Sequence, residues 1–255
     1  MIRHGAFFVA GLLIGSFLTV VIHRVPRKEP IAAGRSMCPS CGAVIGARDN
    51  IPVVSWLLLR GRCRRCGARI SPVYPLTELA TGALFLGASI AFDDVWVAML
   101  MSAFLAVLLA VSLIDLRHQV IPNRLVYPSA VVALMAVVTL DLTGHGLDWV
   151  HGLIGLGAFG GGLLIVALIS PKGMGFGDVK LAGLIGLVLG SVALSRVAVA
   201  AGAAILLGGV GAIVLLATGS GRKTRVPFGP YLAAGATIAV FAGEQIAGAY
   251  LRLMT

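Results

Sequence analysis

Acidic residues are scarce in this chain: ten Asp and Glu among 255 residues, against twenty Lys and Arg and a net charge of +10. Charged residues of all kinds make up only 12% of the sequence, while 58% is hydrophobic. Several common catalytic patterns are missing too. There is no His-Glu-x-x-His helix, no serine–histidine arrangement and no glycine-rich phosphate loop, so zincin, serine-hydrolase and P-loop chemistry are excluded. No aromatic-basic surface or recognition helix is legible, so nucleic acid is not an expected partner. A soluble core is excluded as well, because a chain of this size cannot hide eight long apolar segments in one interior.

Those segments fall at roughly 5–22, 74–92, 95–114, 126–142, 150–169, 179–194, 197–217 and 229–249. Each approaches the ~20 residues that a helix needs to cross a bilayer core of about 30 Å. The expected fold is an all-α membrane protein, a polytopic bundle of about eight transmembrane helices with a small zinc-ribbon-like cytoplasmic loop domain. Three parts are expected: a first anchor (1–22), a four-cysteine loop (23–73) and a membrane-embedded domain (74–255). The first segment has no small-residue cleavage site and is followed by Arg24, Arg27 and Lys28. That flank predicts a retained anchor with its N-terminus outside.

With that orientation the inner segments are 23–73, 115–125, 170–180 and 218–228. They carry 17 of the 20 basic residues, leaving Arg3, Arg196 and Arg252 outside with Asp93, Asp94, Asp141 and Asp148. The asymmetry is the positive-inside pattern. Basic loops facing an anionic inner leaflet account for the net charge.

All four cysteines lie in the first inner loop, as Cys38-x-x-Cys41 and Cys63-x-x-Cys66, separated by 21 residues. Each pair can offer two thiolates to one tetrahedral ion, with Gly42 and Gly67 permitting the turn. Disulfides are disfavoured in a reducing cytosol. Structural zinc is the favoured reading, with a rubredoxin-like iron site, disulfides or free thiols as alternatives. A loop of about 50 residues builds little core, so the metal is expected to supply much of its folding energy.

Two of the few carboxylates stand at inner span ends. Asp115 closes the third span and is followed by Ile121 and Pro122; Asp178 opens the sixth after Gly175 and Gly177. A carboxylate at membrane depth is costly and marks a functional site by default. Two that converge would share a proton and activate a water, the chemistry of aspartic proteases. Pro122 disfavours helix at Ile121. Glycines at 173, 175 and 177 permit φ > 0 and a close backbone approach, against which an extended peptide could pair. Lys180 is expected to snorkel to the headgroups, with a catalytic role as the alternative. Glu78, one turn inside the second span, is expected to pair with a loop arginine or else to join the active site. Gly157/Gly161, Gly186/Gly190 and Gly208, Gly209 and Gly211 are expected to form close-packing helix faces.

Taken together, these residues resemble the bacterial type IV prepilin peptidases. The family's Asp followed six residues later by Ile-Pro matches Asp115, Ile121 and Pro122. Its Gly-x-Gly-Asp-x-Lys-Leu pattern matches Gly175, Gly177, Asp178, Lys180 and Leu181. The paired cysteine knuckles match, with Asn50-Ile51-Pro52 and Ser55-Trp56 between them, and Pro227-Phe228-Gly229-Pro230-Tyr231 looks like the last inner-side motif. Asp49 departs from the expected Glu. The resemblance implies a bacterial inner-membrane enzyme with catalytic Asp115 and Asp178 at the cytoplasmic face. It would cut the basic leader of prepilins and pseudopilins and then methylate the new N-terminus with S-adenosylmethionine. A methyltransferase Rossmann sheet does not fit in a loop this short, so any methyl-donor site lies among the loop and helix ends. A proton-coupled transporter would carry its carboxylates near the midplane, with an internal repeat that is not seen here. A presenilin-like protease would have Tyr, not Ile114, before its first aspartate.

Overall fold

The computed structural model describes residues 1–31, 36–170, 174–217 and 227–254. Pro171, Lys172 and Gly173 of the glycine loop lie outside them, as do the basic residues Arg35, Arg222, Lys223 and Arg225.

The chain is helical almost throughout. Helices α1 (Ile2–Arg24), α3 (Val73–Ala91), α4 (Val95–His118), α5 (Asn123–Leu142), α8 (Phe176–Val192), α9 (Leu194–Ala217) and α10 (Gly229–Met254) are continuous. Helix α2 (Val54–Leu58) is a short piece of the cysteine loop, preceded by a 3₁₀ turn at Ala47–Asp49. Helices α6 (Trp149–Gly155) and α7 (Gly161–Ile169) form one span, joined through a π turn at Leu156–Gly160. Among the described residues the only β pairing is two isolated bridges, Met37–Val44 and Arg62–Arg69.

Seven of these spans are long and apolar enough to cross a membrane, counting α6–α7 as one. The other expected span is α8, with 17 residues the shortest and at the lower limit for crossing. It is also the most enclosed, since every residue from Leu181 to Ser191 is buried. A helix that is apolar all round belongs in the interior of a bundle, and α8 packs against α5, α6, α7, α9 and α10.

Glycine sets the helix contacts, but not always on the expected faces. A Cβ at Gly11 or Gly15 of α1 would fall 2.7 Å from the Cα of Gly82 or Glu78, so α1 and α3 touch backbone to backbone. Gly155 and Gly186 meet in the same way, flanked by Gly152, Gly160 and Gly190. Gly157 and Gly161, the expected pair, have nothing within 4 Å, and neither has Gly209. The π turn is the reason. It adds a residue to the turn and rotates the helix beyond it, so the contact face runs Gly152, Gly155, Gly160.

Candidate active site and metal centre

Three helix ends and one connection meet around Asp115. Helix α4 runs one turn beyond it to His118 and stops at Gln119, in the left-handed conformation. The chain is then extended through Pro122, and α5 starts at Asn123. Asp115 is thus not at a wet helix end: only 4% of it is exposed. Its Oδ2 accepts the Gly229 N–H at 3.0 Å. Gly229 is the first residue of α10, so a positive helix terminus points at the carboxylate.

Asp178 lies in the first turn of α8, half-buried, and its Oδ2 accepts the Gly175 N–H at 3.3 Å. The two carboxylates are close enough for their charges to act on one another. Ile121 is the wedge between their supports. A Cβ at Gly177 would lie 2.9 Å from Ile121 Cβ; one at Gly229 would lie 3.3 Å from Ile121 Cδ1 and 2.7 Å from Asp115 Oδ2. Gly175 and Gly177 therefore serve close approach and not positive φ: Gly175 is extended at φ −83° and Gly177 is helical.

Two side chains differ from expectation. Lys180 does not reach for headgroups; its Nζ donates to Asn123 Oδ1 at 2.9 Å and sits 5.0 Å from the Tyr127 ring centre, tying α8 to α5. Among the described residues Glu78 pairs with no arginine. It is buried, and its Oε2 accepts the Val53 N–H at 2.7 Å. Gly229 and Asn123 were not among the residues marked by sequence for this site. Only the Pro-Phe-Gly-Pro-Tyr motif pointed toward Gly229.

The cysteine loop brings Cys38, Cys41, Cys63 and Cys66 together, with all four sulfurs within 4.8 Å of one another. None is disulfide-bonded, and Cys38 Sγ to Cys66 Sγ is 3.8 Å. Four thiolates at about 2.3 Å around a tetrahedral zinc would be about 3.8 Å apart, so the donor set fits a four-coordinate ion. The two knuckles repeat one turn. The Gly42 N–H donates to Cys38 O and the Gly67 N–H to Cys63 O, with both glycines at positive φ. N–H groups of Ser40 and Cys41 turned toward Cys38 lower its thiol to about 6, and those of Cys66 and Arg65 lower Cys63. Although the Ala68 N–H favours its thiolate, the neighbouring cysteines push Cys66 up to about 11. The Arg64 guanidinium clamps Asp49 from the Nε side, with Nη2 at 2.7 Å, and locks the linker between the knuckles onto the second one. That clamp holds the Asp49 carboxyl below its usual range.

The family described as Bacterial Peptidase A24 N-terminal domain matches residues 9–92, and the Type IV leader peptidase family matches residues 102–216. A Bacillus subtilis protein named prepilin leader peptidase/N-methyltransferase is 33% identical over 96% of this chain and 97% of its own length. The chain belongs to the type IV leader peptidase family.

Other members of the leader peptidase family are as similar. A Stutzerimonas stutzeri protein of the same name is 36% identical over 96% of the chain and 92% of its own length. An Escherichia coli relative named type 4 prepilin-like proteins leader peptide-processing enzyme is 36% identical over 91% of each. No solved structure matches. The two matched regions divide the candidate site residues between them. Cysteines and Glu78 fall in the first, Asp115 and Asp178 in the second, and Gly229 lies past its end.

Proposed function

We propose that this chain is a prepilin peptidase that removes the leader of type IV prepilins and pseudopilins through Asp115 and Asp178. The observation that carries the reading is the junction of α4, α8 and α10, where two carboxylates sit on backbone N–H donors in a protein otherwise poor in acid. One carboxylate, ionised, takes a proton from water; the other, protonated, gives one to the leaving amine. Two carboxylates whose charges act on one another do not both ionise readily, so the pair would share a proton. The water attacks the scissile carbonyl directly, and no acyl-enzyme forms. Burial of Asp115 and the N–H from Gly229 fix one member, while the close contact of Gly177 with Ile121 and the Gly175 N–H position the other.

The positive-inside asymmetry supports an inner-membrane protein with its N-terminus outside and this junction at the cytoplasmic face. It also supports a three-part reading, with an anchor at 1–22, a loop domain at 23–73 and the peptidase at 74–255. Zinc is the ion best suited to the four thiolates; held by all four, it leaves no position for water and serves structure. Methyl transfer from S-adenosylmethionine comes to this chain through the names of its relatives. The described residues hold no parallel sheet or glycine turn for such a donor, and no residue is assigned to it.

The test is to incubate the purified chain in lipid with a prepilin and to read product N-termini by mass spectrometry. Leader removal at one bond is expected, with the mass of one added methyl group if donor is supplied. An intact prepilin, in conditions where a relative cleaves it, would remove the peptidase reading.

A further inference from the structure

The conformation of Val53 is unusual for its residue type. It stands at φ 61°, ψ −50°, the strained γ-turn region, closed by the Val54 N–H to Pro52 O bond at 2.6 Å, which a β-branched residue avoids. Such a conformation persists where surrounding contacts over-determine it. Here the contact is the hydrogen bond from Val53 N–H to Glu78 of α3.

That bond fixes a depth. Helix α3 has 19 residues, so it is about 28 Å long, close to but slightly short of a hydrocarbon core of about 30 Å. Glu78 is its sixth residue, about 7.5 Å inside the helix start. Its Cα also packs on Gly15 of α1, nine residues before that helix ends at Arg24. Because a helical side chain points back toward the helix start, the bond holds the beginning of α2 beside the first turns of α3 and not beyond its end. At that depth every backbone N–H needs a protein partner. Ile51 N–H has Ser55 Oγ, Val53 has Glu78, Val54 has Pro52 O and Ser55 has Ile51 O.

Helix α2 itself is apolar and uncovered. Val54, Leu57 and Leu58 are 48%, 61% and 78% exposed, and Ile51 beside them is exposed too. Leu76 and Leu79 of α3 and Leu13 and Phe17 of α1 are exposed apolar residues as well. Flanking α2 in the chain stand exposed arginines, including Arg48, Arg60 and Arg62. An apolar helix face with a basic collar is the pattern of a segment lying in the interface of an anionic leaflet.

We propose that α2 is immersed in the lipid interface, with Val54, Leu57 and Leu58 among the acyl chains and Glu78 holding its start at depth. The four-cysteine loop would then be moored to the bilayer surface at a third point besides α1 and α3. This does not rest on the peptidase reading, only on α1 and α3 crossing the bilayer.

The test uses the full chain in liposomes containing anionic lipid. Leu58→Trp is introduced with Trp96→Phe and Trp149→Phe, and its emission is the difference from the same chain with Leu58 retained. A blue-shifted added emission, quenched by lipids brominated high on the acyl chain and without any substrate, is expected. Glu78→Leu should reduce that quenching and Glu78→Gln, which keeps an acceptor, should restore it. Water-like, unquenched emission would overturn the proposal, as would protection that arises only when prepilin is added. Hydroxyl-radical labelling of the wild-type chain in nanodiscs is an independent check: Leu57 and Leu58 should be protected relative to exposed Met37. Equal labelling would overturn the proposal even if the tryptophan variant fails to fold.

Discussion

A methyl group at Gly229 would sit 2.7 Å from Asp115 Oδ2, a distance that real side chains do not tolerate. Gly229→Ala should therefore displace the carboxylate or tilt the start of α10 and lengthen the 3.0 Å bond between them. A misplacement of about 1 Å at a reacting group costs about 10²-fold. A loss of that order in kcat for leader cleavage, with the helical content unchanged, is expected. Activity near wild type in Gly229→Ala would remove the backbone N–H from the account. Lys180→Met should act more mildly, loosening α8 from Asn123 and Tyr127 without touching a carboxylate. Asp115 and Asp178 were legible because an acid at the end of an apolar run is conspicuous in sequence. Gly229 was not, because its contribution is a main-chain N–H that no side-chain pattern advertises. Lys180 misled for a related reason: snorkelling is the default for a lysine near a span end, and its partner is 57 residues away.

At the scale of elements, the α6–α8 contact separates a packing face from a sequence motif. Gly155→Ala places a Cβ 2.2 Å from Gly186 O, whereas Gly157→Ala meets nothing within 4 Å. The first should destabilise by about 1–3 kcal/mol, the usual range for overpacking. The second should be neutral or slightly stabilising, since alanine is the better helix former. Thermal unfolding of the two variants in one detergent checks this, and the reverse order would contradict the π-turn register. The Gly-x-x-x-Gly spacing that sequence marks at 157 and 161 assumes 3.6 residues per turn, and a π turn breaks that assumption locally. The cysteine loop was more legible, because two Cys-x-x-Cys turns closed by glycine encode their own geometry. With zinc on the four thiolates as proposed, chelation should unfold this loop, read as loss of the packing of Trp56 on Gly61, and leave the helicity of the spans intact.

Over the whole molecule, the order of the apolar segments was readable from the hydropathy pattern, within a few residues at most ends, although seven of the described helices, and not eight, are long and apolar enough to cross a membrane. Which segment lies at the centre was less so, although α8 carries the cue in being apolar on every side. The meeting of α4, α8 and α10 was out of reach, because nothing in the sequence joins residues separated by 63 and 114 positions. Charge also acts at this scale. The loop and inner segments are strongly basic, and a prepilin leader is expected to be basic too. Two of the acids available to offset this are already engaged, Asp49 by Arg64 and Glu78 by Val53. Added salt should therefore leave cleavage unchanged or raise it by screening repulsion. A steep fall in kcat/KM between low and high salt would mean that attraction, not repulsion, governs encounter.

The central claim is that Asp115 and Asp178 act as a pair, and cleavage of a synthetic prepilin by wild type, Asp115→Asn and Asp178→Asn tests it most directly. General acid–base catalysis contributes about 10²–10⁴-fold, so each variant should lose at least about 10²-fold in rate while keeping its metal content and helicity. Near wild-type cleavage by either variant would contradict the pair and require another group to activate the water.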